Sequence, residues 1–221
     1  MDANLKDTLL KFEIDPSNTA KLAENLRNPK GDYGRKVAKM MNEGNAVMID
    51  AAIMNADIHE GDIVLEIGFG NGSHLEKIAK KVENGSVAAI DSSETMVQEA
   101  SSINQSLIAS GQLDIRLATI DQIPFDDDTF DKVITVNTIY FWEDNEKCGK
   151  EILRVLKKGG TVVIGLREKE KLKLLKFLKG GFTRYSIDEV EALMRNIGFS
   201  KVWHTSVPDK PADAVCVMAQ K

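Results

Sequence analysis

An acidic side chain and three glycines lie between an apolar run and a helical stripe in residues 63–79 of this 221-residue chain. Glu66 comes near the end of the β-branched run, and Gly68, Gly70 and Gly72 follow it. Glycine adopts positive φ and lets the backbone approach a ligand closely. A carboxylate at the end of a strand suits a cationic ligand better than a pyrophosphate. The pattern of strand, glycine turn and helix therefore predicts a nucleotide-like ligand over the start of the helix.

Two other glycine-rich patterns fit this segment less well. The dinucleotide fingerprint G-x-G-x-x-G would place its third glycine at Ser73, whereas the chain has it one residue earlier. The chain has no G-x-x-x-x-G-K-[ST] segment, which sets a P-loop aside. An NAD-dependent oxidoreductase is therefore a disfavoured alternative.

A second acid follows the next apolar run. Residues 86–91 predict another short buried strand that ends in Asp91, 23 residues after Gly68. An acid at this strand tip accepts hydrogen bonds from two ribose hydroxyls in nucleotide-binding α/β folds. Asp91 is therefore the predicted ribose ligand. The alternative is that Asp91 only precedes the next helix, with Ser92 or Ser93 as the N-cap.

The glycine segment VLEIGFGNGS resembles motif I of the class I S-adenosylmethionine-dependent methyltransferases, of the type 11 kind. Three further segments match this family in order, namely SVAAID, LATIDQIPFDDDTFDKVITVN and LKKGGT followed by VVI. The resemblance covers about residues 62–166. It implies S-adenosylmethionine as the cofactor, with the glycine loop near its methionine part, Glu66 near its amino end and Asp91 at its ribose.

The resemblance also implies contacts with the adenine and near the transferred methyl group. Met96 is similar to the family's apolar contact for the adenine face. Many relatives carry an acid that accepts from the adenine amino group, but this chain has Thr119 there, with Asp121 as an alternative acceptor. The implied cofactor residues beyond the glycine loop are Asp91, Ser92, Met96, Thr119, Ile120 and Asn137.

The fold implied by the resemblance is a Rossmann-like α/β fold. Its sheet would have seven mostly parallel strands, helices on both faces and an antiparallel closing strand. Residues 59–221 would form the cofactor-binding domain, and the helix after Asp91 would end at Gly111. Residues 1–58 are predicted to form a helical extension, in which Gly44 and Asn45 are a candidate break between two helices, and residues 28–34 would be a mobile entry loop if the extension is a lid.

The extension has two interpretations. It is either a helix packed on the sheet or, as is common in the family, a lid over the cofactor. In the second case Tyr33 and Arg35 would touch the ligand.

Aromatic residues follow the predicted fourth strand, at the edge where ligands bind in open α/β sheets. Asn137 and Tyr140 have the spacing of the polar and aromatic positions in amino-directed nucleic-acid methyltransferases, without the prolines between them. The alternative is that these aromatic residues only cover the sheet edge. The predicted substrate residues are Tyr33, Tyr140, Trp142 and Tyr185.

A general base is optional, because the cofactor already carries an activated methyl group. Tyr140 and His74 are candidates, and His74 lies in the first helical turn after the glycine loop. His204 and Tyr185 are further candidates. The sequence assigns none of the four as the catalytic base.

The net charge and the distribution of apolar residues indicate which partners and which cellular compartment to expect. The formal charge of −5 argues against affinity based on phosphate neutralisation, so no nucleic-acid partner is predicted. The chain lacks a basic-then-apolar leader and a membrane-spanning apolar run, which predicts a cytoplasmic protein. A lysine-rich amphipathic stretch at 167–179 is compatible with an acidic substrate or with peripheral contact to a membrane.

No metal site is predicted. Cys148 and Cys216 lack metal-ligand or disulfide spacing. The aspartates at 126–128 are most simply a solvated turn.

The predicted function is therefore methyl transfer from S-adenosylmethionine to an unidentified small-molecule acceptor. The main alternative is a noncatalytic module that binds S-adenosylmethionine or S-adenosylhomocysteine, which the absence of a clear base favours. No pattern in the sequence predicts an oligomeric state.

Overall fold

The computed structural model describes residues 3–169, 182–210 and 213–221. Within these ranges the chain begins with three helices, α1 (Ala3–Lys11), α2 (Thr19–Arg27) and α3 (Gly31–Asn55). We refer to residues 3–41 as the cap. An apolar cluster that we call the cap core joins its helices, and it consists of Leu9, Phe12, Ile14, Leu22 and Val37.

Seven strands in the described ranges form one sheet with the order β3-β2-β1-β4-β5-β7-β6. β1 to β5 run parallel, and β7 pairs antiparallel with both β5 and β6. The predicted Rossmann-like α/β fold, with a mostly parallel sheet and an antiparallel closing strand, is confirmed. The strands are β1 (Ile63–Ile67), β2 (Ser86–Asp91), β3 (Leu113–Leu117), β4 (Phe130–Val136), β5 (Leu156–Leu166), β6 (Lys201–Val207) and β7 (Ala214–Gln220).

Helices cover both faces of the sheet. Neighbouring residues of β1 belong to different cores, since Val64 faces one and Leu65 the other. Successive side chains of a strand point to opposite faces, so a sheet covered on both faces needs strands that are apolar throughout. The remaining helices are α4 (Leu75–Ala79), α5 (Glu94–Ile103), α6 (Gln105–Ala109), α7 (Asn145–Val155) and α8 (Ile187–Ile197), with a short 3-10 turn at Ile139–Phe141.

The strand order reverses between β1 and β4. From β1 the sheet continues through β2 to β3, and from β4 it continues to β5 in the other direction. Ligands of open α/β sheets bind in the crevice outside the carboxyl ends of the strands at such a reversal. The loops after β1, β2 and β4 begin at this edge. Gly68 and Asn137 are the first residues after β1 and β4, and Asp91 is the last residue of β2, so all three lie at this edge.

α3 is one continuous helix of 25 residues, so the predicted break at Gly44 and Asn45 is wrong. A glycine within a helix costs about 1 kcal/mol relative to alanine. Val37 and Met48, on either side of Gly44, are fully buried. Burial of this helical face outweighs the local cost of the glycine.

The predicted loop at 28–34 is shorter than expected. α3 begins at Gly31, so only residues 28–30 connect α2 to α3. A Cβ atom on Gly34 would lie 2.6 Å from the carbonyl carbon of Pro29. The connection is therefore packed tightly against the first turn of α3.

The helix predicted from Asp91 to Gly111 is two helices, α5 and α6, which meet at Asn104. The Asn104 side-chain amide donates to the carbonyl oxygens of Gly72 at 3.0 Å and Ala100 at 2.9 Å. This side chain ends α5 and ties it to the glycine loop.

Part of the lysine-rich stretch, residues 170–179, lies outside the described residues, so its predicted contacts stay predictions. Over the ranges that the structure does describe, no helix is long and apolar enough to cross a bilayer.

Candidate functional site

The glycine loop brings the end of β1 close to the loop after β4. Gly68 has a φ of +76°, and a Cβ atom there would lie 2.4 Å from Cγ2 of Thr138. Gly70 has a φ of +59°, and the nearest atom to a Cβ there would be Oδ1 of Asn42, 3.9 Å away. Gly68 is thus required for the close approach of two loops, whereas a Cβ atom on Gly70 would make only an ordinary van der Waals contact.

The third glycine serves helix packing. A Cβ atom on Gly72 would lie 2.6 Å from Cβ of Ala100 on α5. The absence of a side chain therefore lets α5 pack directly on the loop.

Glu66 and His74 form a buried pair that flanks the glycine loop. Glu66 on β1 is 2% exposed, and His74, the N-cap of α4, is 7% exposed. Nε2 of His74 contacts Oε1 of Glu66, while Oε2 of Glu66 and Nδ1 of His74 have no hydrogen-bond partner among the described residues. An unpaired buried carboxylate oxygen is costly, so it marks a position that suits a ligand's donor group.

The protonation of His74 reflects this pair. Burial lowers the pKa of His74, but the charge of Glu66 and the hydrogen bond to it together outweigh burial. The net pKa of His74 is therefore raised above its ordinary value. The pair favours an imidazolium next to a carboxylate.

Asp91 ends β2 with a carboxylate that two backbone amides hold. Oδ2 accepts from the Gly70 amide at 3.0 Å, and Oδ1 accepts from the Ser93 amide at 2.8 Å. Burial raises the pKa of Asp91 to about 6, although the backbone hydrogen bonds act in the opposite direction. Each oxygen keeps a further lone pair for a donor. Ser93, and not Ser92, is the N-cap of α5, since its side chain accepts from the Met96 amide.

A cavity of about 530 Å³ opens next to the end of β2. Leu117, at the end of β3, is 56% exposed and offers apolar surface to a flat ring. Two predicted cofactor residues, Ser92 and Thr119, belong to the lining. The lining residues are Ser92, Leu117, Ala118, Thr119, Gln122, Ile123 and Pro124.

The acid near this cavity is already engaged. A hydrogen bond from Thr119 and the ammonium of Lys147, at 2.9 Å, hold the pKa of the Asp121 carboxyl below its usual value. The Thr119 hydroxyl lines the cavity and has two lone pairs that can accept hydrogen bonds.

Two predicted cofactor residues are core residues in this structure. Met96 is fully buried in the core between α5 and the sheet. Ile120 packs against the core on the other face. Neither side chain lines the cavity. Both point inward because apolar side chains on elements that cover the sheet are buried more favourably than exposed.

Asn137 follows β4 in a left-handed conformation, with a φ of +58°, which is uncommon outside glycine. Its amide donates to the Gly165 carbonyl at 2.8 Å, and its Oδ1 lies 3.2 Å from the Tyr140 hydroxyl. Strained residues of this kind cluster at functional sites. The conformation is consistent with the predicted position of Asn137 at the crevice.

The Tyr140 hydroxyl links the loop after β4 to the end of β5. It accepts from the Arg167 amide at 2.6 Å and lies 3.1 Å from the Arg167 carbonyl oxygen. Burial raises the pKa of Tyr140 well above its usual value. A buried, hydrogen-bonded hydroxyl with a raised pKa is a poor general base.

Trp142 and Tyr185 are also buried and hydrogen-bonded. Trp142 Nε1 donates to Oγ1 of Thr138 at 3.2 Å, and the Tyr185 hydroxyl accepts from Asn145 at 2.8 Å. These contacts agree with the alternative in which the aromatic residues cover the sheet.

Phe141, from the aromatic segment after β4, and Phe182, which the sequence did not single out, are half-buried. Their ring centroids lie 4.8 Å apart. They form the more accessible aromatic surface on this side of the crevice.

The cap is attached on both sides of the strand-order reversal. On the β2 side it contacts the start of α5, and on the β4 side it reaches the segment before α7. The contacts are Asn28 to the Ser92 carbonyl at 3.3 Å, the Ser93 hydroxyl to the Pro29 carbonyl at 2.5 Å, and an ion pair between Arg27 and Glu143.

Tyr33 and Arg35 are not brought together with the crevice residues. Tyr33 packs against the cap core with the Lys21 ammonium 4.3 Å from its ring centroid. Arg35 pairs with Asp32 at 2.8 Å. α3 includes both residues, which directs Tyr33 toward α1 and α2.

Asn42 on α3 is a site residue that the sequence did not reveal. Its Nδ2 donates to Oγ of Ser73 at 3.1 Å and contacts Oδ1 of Asn71. These partners lie 31 and 29 residues away in the chain, so no local motif marks the contact.

The described ranges contain no group of three or more side chains arranged to hold a metal ion. Two aspartates of the 126–128 turn are paired instead, Asp127 with Arg154 at 2.8 Å and Asp128 with Lys221 at 2.7 Å. Cys148 and Cys216 are buried free thiols, and burial raises the pKa of each to about 11.

Known proteins resemble this chain in both sequence and structure. A family model described as a methyltransferase domain matches residues 65–164. YrhH of Bacillus subtilis strain 168, named as a methyltransferase, is 37% identical over 136 residues, which cover 59% of this chain and 72% of YrhH. UbiE of Geotalea daltonii, named as a ubiquinone/menaquinone biosynthesis C-methyltransferase, is 28% identical over 64% of this chain and 72% of its own.

A solved structure shares the fold. A SAM-dependent methyltransferase from Aquifex aeolicus matches with a TM-score of 0.69, covering 87% of this chain and all of that chain, at 23% identity. This chain therefore shares the fold of that structure, and the relative at 37% identity shows that the likeness extends to the sequence. The chain belongs to the class I S-adenosylmethionine-dependent methyltransferases.

Proposed function

We propose that this methyltransferase acts on a small molecule with a planar, largely apolar body. The half-buried pair Phe141 and Phe182 supports this acceptor class, because aromatic surface binds flat rings favourably. Phe182 also packs on the cap core, together with the half-buried Met40 and Met41, so that the apolar surface continues toward the cap. The name of the relative UbiE refers to quinone biosynthesis, which is chemistry of this class.

The observation that carries the cofactor assignment is the unpaired Oε2 of the buried Glu66. An ammonium group would satisfy this oxygen, because a charged donor would pair with the buried carboxylate. Asp91 keeps a lone pair on each oxygen for ribose hydroxyls. The residues present therefore fit S-adenosylmethionine at its amino end and at its ribose.

The cavity beside Asp91 suits the adenine. Leu117 offers an exposed apolar surface to the ring face. The Thr119 hydroxyl lines this cavity, and its lone pairs would accept from the adenine amino group. Thr119 would thus fill the role that an acid has in many relatives.

When bound, the cofactor supplies a methyl group that is already activated on sulfur. The protein then has to align the acceptor for in-line displacement and exclude water. Gly68 and Thr138 hold the loops after β1 and β4 together, so that the cofactor loop and the acceptor loop have one fixed spacing. Asn137, adjacent to Thr138, would direct its polar side chain to the acceptor.

We expect that none of the candidates His74, Tyr140 and His204 acts as a strong base for the proton of the acceptor. His74 is buried with Glu66, and Tyr140 is engaged by the Arg167 backbone. His204 lies on β6, the edge strand of the sheet, and its Nδ1 lies 2.7 Å from Oε1 of Glu191 on α8. An acceptor that ionises readily in water, such as a phenol or hydroquinone, fits a site of this kind.

We further propose that residues 1–58 include a lid. This role is supported by the contacts of the cap with Ser92 and Glu143, which lie on the two sides of the reversal point. The Asn42 side chain on α3 connects the same extension to the glycine loop. Opening of the cap would admit the two substrates, and closure would exclude water.

The test is calorimetric titration with S-adenosylmethionine and S-adenosylhomocysteine, followed by incubation with methyl-labelled cofactor and a panel of phenols, hydroquinones, amines and carboxylic acids. We expect both nucleosides to bind and label to enter an organic-extractable aromatic product. Asp91→Ala is the matched control, which should remove binding and transfer together.

Other outcomes would overturn parts of this proposal. Label in an amine or an acid alone would overturn the acceptor class. Binding without transfer to any acceptor would favour the noncatalytic module, and absence of binding would overturn the assignment of Glu66, Gly70 and Asp91.

A further inference from the structure

The buried pair of Glu66 and His74 has an asymmetric arrangement of bonds. Nε2 of His74 contacts Oε1 of Glu66, and Nδ1 of the same ring has no partner among the described residues. Oε2 of Glu66 is also unpaired. The imidazole thus makes its side-chain hydrogen bond to one carboxylate oxygen and leaves the other free.

We infer that His74 is a positioning residue that holds Glu66 so that its free oxygen faces the amino end of the cofactor. This inference rests on the proposed function, because it assigns His74 a role at the same site. A carboxylate with neither oxygen fixed rotates about its side-chain torsions, and ordering it on binding costs free energy. With Oε1 held by the ring, Glu66 is already oriented before the ligand arrives.

The backbone places the two residues for this purpose. Glu66 lies in the rigid parallel strand β1, between β2 and β4. His74 is the N-cap of α4, at the other end of the glycine loop. The pair therefore connects both ends of the loop that approaches the cofactor, so that the loop and the carboxylate are positioned together.

The charges around the ring support an imidazolium. Glu66 faces it from β1, and Asp50 on α3 and Lys77 on α4 pair with each other at 2.6 Å nearby. The pKa of His74 is raised, because the interactions with Glu66 outweigh burial. A positive ring offsets the charge of Glu66 before binding, in a site where Asp91 is a second buried acid.

Two ligands, one with and one without the amino-acid end of the cofactor, separate a role of His74 at Glu66 from a role in the whole loop. S-adenosylhomocysteine has the amino-acid end that Glu66 would bind, whereas 5′-methylthioadenosine has the same adenosine but lacks that end. A residue that acts only through Glu66 should affect the first ligand and not the second. A residue that supports the whole loop should affect both.

The experiment measures the affinity of both ligands by calorimetry for the wild type, His74→Leu and His74→Gln. We expect the affinity of the leucine variant for S-adenosylhomocysteine to fall on the order of tenfold or more, because the substitution leaves Glu66 without its charged partner. Binding of 5′-methylthioadenosine should stay within about twofold of wild type and so also shows that the variant is folded. Glutamine keeps an N–H donor for Oε1 and should restore S-adenosylhomocysteine to within about threefold.

A second arm repeats the leucine substitution in a Glu66→Gln background. If His74 acts through Glu66, the double variant should bind S-adenosylhomocysteine as Glu66→Gln alone does. Equal weakening of both ligands, lack of rescue by glutamine, or a full additional loss in the double variant would each overturn the inference. Unchanged binding in His74→Leu would do so as well.

The failure of this inference is distinguishable from failure of the proposed function. If wild-type protein binds neither S-adenosylmethionine nor S-adenosylhomocysteine, the cofactor site itself is wrong. If it binds them and the variants do not separate the two ligands, only the role of His74 is wrong.

Discussion

The two halves of the crevice differ in how their polar groups are satisfied. In the cofactor half, formed by the loops after β1 and β2, Glu66 has an unpaired oxygen and Asp91 is a buried acid. In the acceptor half, formed by the segments after β4 and β5, Tyr140 and Trp142 are buried with their polar atoms hydrogen-bonded to protein groups.

This difference supports our proposal that the half with the buried acids binds the cofactor. Buried groups without partners destabilise the free protein and are compensated when a ligand pairs with them. The polar aromatic residues of the acceptor half instead stabilise the loop that they belong to. The acceptor is therefore expected to meet apolar surface, such as Phe141 and Phe182, more than polar side chains.

Replacing the ribose acid should have the largest effect. For Asp91→Asn we expect the affinity for S-adenosylmethionine to fall about 100-fold or more, because charged hydrogen bonds are worth about 1.5–3 kcal/mol each. The free energy of unfolding of the ligand-free protein at pH 7.5 should change by less than about 1 kcal/mol, since relief of the buried charge offsets a lost backbone contact. Titration calorimetry and urea denaturation measure the two quantities. Retained affinity in a destabilised variant would contradict the comparison.

Adding a methyl group at the junction of the two halves should come next. Gly68→Ala combines a φ of +76° with a contact of 2.4 Å to Thr138. The expected loss is about 2–4 kcal/mol of unfolding free energy.

Gly111→Ala is the matched control for the junction, because Gly111 has a φ of +77° and open space around it. It should lose only about 1–2 kcal/mol, from backbone strain alone. Equal losses in urea denaturation of the two variants would show that the junction is not tightly packed.

Asp91 also gives the ligand-free protein a specific dependence on pH. Its pKa is about 6 in the folded state and 3.8 unfolded, so the folded protein binds more protons between these values. Its contribution to stability is therefore complete below pH 3.8 and is lost as the pH rises through about 6, a total of about 2–3 kcal/mol. The free energy of unfolding is measured against pH for the wild type and for Asp91→Asn, and the difference between the two curves isolates this change. A difference that increased with pH across this window would contradict the burial of the acid.

Tyr140→Phe probes the acceptor half. The variant loses the acceptor for the Arg167 amide, which should cost about 1–3 kcal/mol of stability. Cofactor affinity and the rate of methyl transfer should stay within a few-fold of wild type. A loss of transfer above about 100-fold with unchanged stability would instead identify the hydroxyl as a base.

The smallest effect is expected where the cap meets the acceptor half. Arg27→Ala removes an exposed ion pair with Glu143, which should change stability by less than about 1 kcal/mol. If the cap is a lid, cofactor affinity should nevertheless fall a few-fold, more at low salt than at high salt. Lys11→Ala, which breaks the exposed pair with Glu43 inside the extension, is the control and should leave affinity unchanged.

Much of the cofactor half could be predicted from the sequence because its signals are local. The apolar pattern of residues 63–67 identifies β1, and the glycines follow it directly. The pattern of residues 86–91 identifies β2, which ends in Asp91. Chain order then places these strand ends together in a parallel sheet. The capping box of α8 is a local signal of the same kind, since its partners Ser186 and Glu189 lie within one helical turn.

Predictions failed where distant contacts outweighed local preference. Burial on the sheet carries α3 through Gly44, and the bond from Asn104 to the Gly72 carbonyl divides α5 from α6.

The sequence by itself determined where these strands, the glycine turn and the two acids lie along the chain. Hydrophobic period, turn chemistry and spacing are properties of neighbouring residues. Only the tertiary structure decided which atoms of those acids remain free. The pairing of His74 with Glu66 across the glycine loop, and of Tyr140 with the backbone of Arg167, depends on how separate segments pack. Whether a buried polar atom has a partner is set by that packing.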